Sequence, residues 1–168
     1  MKYSIYQPKF IADEMLGTIA RKLRIYGFDT LYIKHIGDEK ILEKGKIENR
    51  IILTKDKIFI QKILRENCEV IFLESKNSEV ENLVKIFNCC EIDKISFSLD
   101  NSRCALCNTK IKMISNKEVY LDVPEKVKKS ISILYNCEKC KKFYWEGSHI
   151  KNIKKFILEI NNRLEKID

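Results

Sequence analysis

The sequence predicts an α/β protein: an open parallel sheet covered by helices, followed by a small zinc ribbon and a C-terminal amphipathic helix. Three observations predict it. Strand-like and helix-like segments alternate over residues 5–88, two Cys-x2-Cys pairs follow, and the tail spaces its apolar residues by threes and fours. The domain division is then 1–100 for the sheet, 101–148 for the ribbon and 149–168 for the helix.

Lys9–Ala12 reads as the first strand and Glu14–Tyr26 as the first helix. Leu16, Ile19, Ala20 and Leu23 share one face of that helix, and Gly27 supplies its stop. Thr30–His35 is the second strand, and Glu39–Glu48 the second helix, carrying Ile41, Leu42 and Ile47. Arg50–Thr54, Lys57–Arg65, Val70–Leu73 and Glu79–Phe87 continue the alternation as strand, helix, strand and helix. Right-handed crossovers between such units give a parallel sheet. Glu91–Ser102 has no clear period and reads as a linker.

Cys104/Cys107 and Cys137/Cys140 have 29 residues between the pairs. The chain holds 7 Cys in 168 residues, and Met1–Phe10 lacks the apolar stretch of a secretory signal. In a reducing compartment such thiols are metal ligands before they are disulfides. Four thiolates at this spacing suit a closed structural zinc site. Within the module, Pro124 can open a short helix, Ile131–Tyr135 looks like a strand, and Phe143 and Trp145 alternate along another. In the tail, Ile150, Ile153, Ile157, Ile160 and Leu164 form a stripe expected to pack on this chain's own core, with a dimer seam as the alternative. Cys68, Cys89 and Cys90 read as small apolar residues without a function.

No apolar run reaches the roughly 18 residues that cross a bilayer, so a soluble, cytoplasmic protein with no membrane partner is expected. Net charge is +8, unevenly spread. Residues 1–100 hold 17 basic against 16 acidic side chains, and residues 101–168 hold 15 against 8. A basic second part points to a polyanionic partner, or only to a solubilised ribbon.

Asp13, Asp38 and Asp56 each follow a predicted strand. The carboxyl ends of parallel strands share one edge, where ligands bind. The three carboxylates are therefore expected to converge, while Asp29, which precedes a strand, belongs to the opposite edge. Gathered carboxylates repel unless a cation joins them, and hard oxygen donors suit magnesium or manganese. Such an ion assists phosphodiester hydrolysis. The plainer role of each aspartate is to cap a helix, but Ser, Thr and Asn cap about as well.

The stretches Phe10-Ile-Ala-Asp-Glu-Met-Leu-Gly17, Ala20-Arg21, Leu23-Arg24, Gly27-Phe-Asp-Thr30 and Arg50-Ile-Ile-Leu-Thr-Lys-Asp56 resemble the Mut-seven C-terminal ribonuclease domain family. So do Arg103-Cys-x2-Cys-Asn108, Val123-Pro124, the second cysteine pair and Tyr144-Trp-x-Gly-Ser-His149. The resemblance implies a PIN-like nuclease fold with a zinc ribbon and a magnesium- or manganese-dependent ribonuclease, with Asp13, Asp38 and Asp56 as catalytic metal ligands. Lys22 departs from the pattern, which leads one to expect an aromatic there. Glu74 is the geometric candidate for a fourth acidic ligand, or solvated surface.

Arg21 and Arg24 share the polar face of the first helix, where they can steer an RNA backbone or simply be solvated. Lys141, Lys142, Phe143, Tyr144 and Trp145 interleave bases with aromatics, a pattern that stacks unpaired bases or fills the core of a small ribbon. His149 is placed to touch RNA or to open the tail helix; His35 reads as structural. The leading expectation is an endoribonuclease acting on RNA, ribosomal RNA or a ribosome being one setting. A non-catalytic RNA- or ribosome-binding adaptor is the alternative, and the oligomeric state is left open.

Overall fold

The computed structural model describes residues 7–114 and 133–165. The expectations for Val123, Pro124 and the start of the strand at Ile131 lie outside the described residues. Strands β1 (Phe10–Ala12), β2 (Thr30–Leu31), β3 (Ile51–Thr54) and β4 (Val70–Phe72) form a parallel sheet in the order β2-β1-β3-β4. The inner pair runs in register Phe10↔Ile51, Ile11↔Ile52, Ala12↔Leu53. These inner strands are almost wholly apolar because helices cover both of their faces.

The pleat divides their side chains between two cores. Ile11 and Ile52 meet Ile41, Leu42, Phe59 and Ile63 of helices α2 (Asp38–Ile47) and α3 (Lys57–Arg65). Phe10, Ala12 and Leu53 face the other way, onto α1 (Gly17–Ile25), α4 (Glu79–Cys89) and α5 (Ser148–Leu164). Leu23, Leu83, Phe87 and Ile160 are fully buried there. The tail stripe thus packs on α4 and α1 of its own chain. A 3-10 turn, Glu14–Leu16, precedes α1.

Several expectations change. Only two residues of the second strand pair, because β2 is an edge strand and the chain turns away through His35 at φ 55°. Ile47, at the end of α2, is 75 % exposed rather than in the core. The supposed linker is held tightly. Asn161 of α5 gives Nδ2 to the Ile95 carbonyl at 2.9 Å and accepts from the Ile95 amide at 3.0 Å, while Ile95 and Leu99 are buried. One amide pair replaces strand pairing for an irregular segment.

The ribbon sheet joins β5 (Lys112–Ile114), β6 (Leu134–Asn136) and β7 (Phe143–Trp145), antiparallel, with Tyr135 opposite Tyr144. It docks on the edge of the large sheet where the strands begin. Asp29 is the hub, opposite the other aspartates as expected. Its Oδ1 accepts from Arg50 and from Asn108 Nδ2, each at 2.7 Å, and Arg103 lies 3.7 Å from Oδ2. Asn108 in turn accepts from the Thr30 amide at 3.0 Å. The junction is tight. Gly27 sits at φ +97°, and a Cβ there would lie 2.8 Å from the Asn101 carbonyl.

Burial pushes the Asp29 carboxyl up, but the bonds from Arg50 and Asn108 outweigh it and hold the group below its ordinary value. A carboxyl held low when folded adds stability above its unfolded pKa, near 3.9, and loses it as pH falls further. Acid unfolding below about pH 4 is therefore expected to steepen through Asp29. Asp29→Asn should flatten that limb in pH-dependent thermal melts; an unchanged limb would remove Asp29 from the account.

Candidate active site and metal centre

Sheet order reverses between β1 and β3, and Asp13 and Asp56 follow these two strands. Such a switch point opens a crevice. The fully buried Thr54, the last residue of β3, ties its two sides together. Its hydroxyl donates to Asp13 Oδ2 at 2.7 Å and accepts from the Asp56 amide at 3.0 Å. Asp13 Oδ1 accepts from the Glu14 amide. Asp56 Oδ1 caps α3, taking the Ile58 and Phe59 amides at 2.7 and 3.2 Å. Capping therefore occupies one oxygen of Asp56 and leaves the other without a hydrogen bond among the described residues.

Asp38 is different. Gly37 is the N-cap of α2 at φ 75°, and the exposed Asp38 is the first helical residue, with no side-chain cap bond. Capping does not explain it. Its carboxyl is raised above the usual value by burial first, then by the charges of Asp13, Asp56 and Glu39, with Lys62 opposing. The three carboxylates thus lie in one another's field. They do not close up as expected: among the described residues, the four cysteines are the only group of three or more whose ligand atoms all lie within 4.8 Å of one another. Glu74, the candidate fourth ligand, pairs with Lys76 at 3.1 Å.

Sequence reasoning missed four residues at this rim. Thr54 is one, signalled only by its place two residues before Asp56. The others are Lys62 beside Asp38, and the pair of Glu14 with His35 Nδ1 at 2.8 Å. His35, read as structural, has a side chain that is 83 % exposed.

The Sγ atoms of Cys104, Cys107, Cys137 and Cys140 are mutually within 4.8 Å. Tetrahedral zinc with bonds of about 2.3 Å places its sulfurs about 3.8 Å apart, so this set could hold it. The two knuckles repeat one design. Asn108 and Lys141, each directly after a cysteine pair, take positive φ, 71° and 57°. Their amides donate back to the carbonyls of Cys104 and Cys137 at 2.9 and 2.7 Å. Around the sulfurs, the Tyr144 hydroxyl lies 3.1 Å from Cys104 Sγ and Thr109 Oγ1 lies 3.4 Å from Cys107 Sγ. Such outer partners fix ligand orientation.

Arg24 is a correction. Expected on an exposed face with Arg21, it is 3 % exposed, whereas Arg21 is exposed. The ribbon covers this second flank of α1, which a one-sided helix pattern does not reveal. The Arg24 guanidinium donates to the Ala105 and Leu106 carbonyls of the first knuckle at 3.0 Å each, and to the Thr30 carbonyl at 2.8 Å. Burial lowers its pKa, while Cys104 and Cys107 favour its charge. It is a buried cation seated against the thiolates. Arg24→Ala is expected to cost about 3–5 kcal/mol, because three carbonyls lose their donor. Chemical denaturation reads this directly, and a loss below 1 kcal/mol would refute it.

Lys22 also finds a structural explanation. Its ammonium sits 3.6 Å from the centre of the Phe156 ring and 3.1 Å from Glu79, tying α1 to α5 and α4. The departure bears on packing. Lys141, Lys142 and His149 are exposed, and Phe143 and Trp145 are half-buried.

Residues 8–157 match the family model of the Mut7-C RNAse domain. The chain belongs to that family. The span matched by the Mut7-C model takes in the sheet, the ribbon and the first part of α5. No curated protein and no solved structure matches the chain. Membership in the Mut7-C RNAse domain family points to a nuclease with RNA as its substrate. No helix among the described residues is long and apolar enough to cross a membrane.

Proposed function

We propose that the protein is a cytoplasmic, metal-dependent endoribonuclease. In this reading Asp13, Asp38 and Asp56 hold magnesium or manganese, and the four cysteines hold a structural zinc. The single observation carrying it is Asp38, an exposed carboxylate that caps nothing and is raised partly by Asp13 and Asp56. Hard carboxylate oxygens fit magnesium or manganese, and soft thiolates fit zinc. A divalent ion held by such carboxylates lowers the pKa of a water ligand and offsets charge developing on a phosphodiester.

The chain's own residues supply position. The Thr54 hydroxyl donates to the Asp13 carboxylate and accepts from the Asp56 backbone amide, and the first amides of α3 orient the Asp56 carboxylate. Lys62, whose charge opposes the rise of the Asp38 carboxyl, would also attract a phosphate oxygen brought to Asp38. Arg21 on α1, and Lys141, Lys142, Trp145 and His149 of the ribbon and α5, hold the strand in place. Ribosomal RNA is a substrate that the basic final third suits.

The test is cleavage of mixed RNA with magnesium, with manganese and with neither. Cutting only with a divalent ion, leaving 3′-hydroxyl ends, is expected. Tight RNA binding without cleavage at any ion concentration would replace the nuclease with an adaptor.

A further inference from the structure

Among the described residues Phe143 and Trp145 lie outside the ribbon core, one of the two roles expected of them. That core is Leu99, Cys104, Ile111, Tyr135, Cys137 and Ile150, with Tyr144 at its margin. The Tyr144 hydroxyl reaches Cys104, whereas Phe143 and Trp145 are half-buried and outside every core cluster of the described residues. With Tyr144 and the edge of the ribbon core they line a cavity of about 320 Å³ between the ribbon, α5 and the last residue of α1, Ile25.

We propose that this cavity is a subsite for one unpaired nucleobase of the RNA strand, an inference resting on RNA as the substrate. Three features define the occupant. The walls are aromatic and apolar, from Phe97, Phe143 and Trp145. The rim carries Lys142 and His149, both exposed, and among the described residues neither has an ion pair and no carboxylate lines the space. The volume lies at the lower limit of ligand cavities, which begin near about 300 Å³, and so admits one planar ring system. Aromatic walls for a base and cations for its flanking phosphates are the chemistry of single-strand recognition.

Gly147 shapes the wall. A Cβ there would come within 2.9 Å of Trp145 Nε1, so the indole lies against bare backbone. The location also matters. Ile25 ends the helical stretch that starts next to Asp13, and 12 residues at 1.5 Å rise put the cavity about 18 Å from the carboxylates. A stacked strand advances about 3.4 Å per nucleotide, so on the order of five nucleotides separate the held base from the bond to be cut. A decamer spans both.

Trp145 is the sole tryptophan, so its emission reads this cavity alone. In the zinc-loaded Asp13→Asn protein without added divalent ion, a single-stranded oligoribonucleotide decamer is expected to quench that emission saturably. A blunt duplex of the same sequence should not, because its bases are stacked and paired. In the same background Trp145→Ala should weaken decamer binding about tenfold, and Trp145→Phe should restore most of it.

Equal quenching by duplex and single strand would overturn the subsite, since the strand would then meet only the lysines. So would quenching by an apolar decapeptide but not by RNA, or unaltered affinity in Trp145→Ala. Failure here and failure of the nuclease reading separate cleanly. A parent enzyme that cuts RNA with indifferent Trp145 emission loses only the subsite. Quenching without any divalent-dependent cleavage keeps the subsite and removes the nuclease.

Discussion

Asp13→Asn and Asp56→Asn are each expected to lower the proposed divalent-dependent RNA cleavage by about 10³-fold, with the fold kept intact. Three powers of ten correspond to about 4 kcal/mol of barrier, in the range that metal-held charge stabilisation supplies. Both substitutions preserve shape. The amide oxygen at position 13 can still accept from Glu14 while its NH2 donates to the Thr54 hydroxyl oxygen, and Asn caps a helix as well as Asp, so α3 keeps its first turn. Loss of activity therefore cannot be blamed on unfolding, which circular dichroism and thermal melts check.

Asp38→Asn gives the sharper contrast. A carboxyl whose pKa is raised on folding favours the folded state less as pH rises past its unfolded value. Removing that charge should raise the melting temperature slightly at neutral pH without divalent ions. In the parent, magnesium or manganese should raise it by binding the folded state, and in the variant that gain should vanish. Activity surviving in both Asp13→Asn and Asp56→Asn would sink the proposed site.

Period and spacing were enough to read most of the fold. Strand positions in β1, β3 and β4 follow from buried apolar runs, and the sheet order puts Asp13 and Asp56 at the carboxyl ends of the neighbouring strands β1 and β3. The unread parts share one cause: they depend on contacts between segments distant in the chain. Arg24 looks solvated until the ribbon arrives beside it. Segment 91–102 has no pattern because Asn161, 66 residues after Ile95, supplies the bonds that order it. β5 went unnoticed because Lys112 and Met113 are exposed and only three residues pair. Thr54 looked like a strand residue because a hydroxyl gives no sign of which carboxylate it will meet.

Zinc removal should have the largest effect on stability. The ribbon core holds four buried apolar residues besides two of its cysteines, too few to hold three short strands together. In the proposed zinc site, metal binding, worth about 10 kcal/mol or more in small zinc modules, would supply the rest. A strong chelator, or Cys137→Ser, is expected to abolish one bound zinc per chain and to shift Trp145 emission towards that of solvent-exposed indole. The loss should not stop at the ribbon. Arg24 would keep its bond to Thr30 but lose the Ala105 and Leu106 carbonyls, leaving a guanidinium buried at 3 % exposure with two of its three shortest bonds gone. Melting of the helices α1 to α4 should therefore move to lower temperature on chelation, even though no cysteine ligand lies in them. In Arg24→Ala that further shift should shrink, since the group that transmits it is already absent. A chelator that strips zinc and leaves both the emission and the melting temperature unchanged would show that the four sulfurs hold nothing the fold depends on.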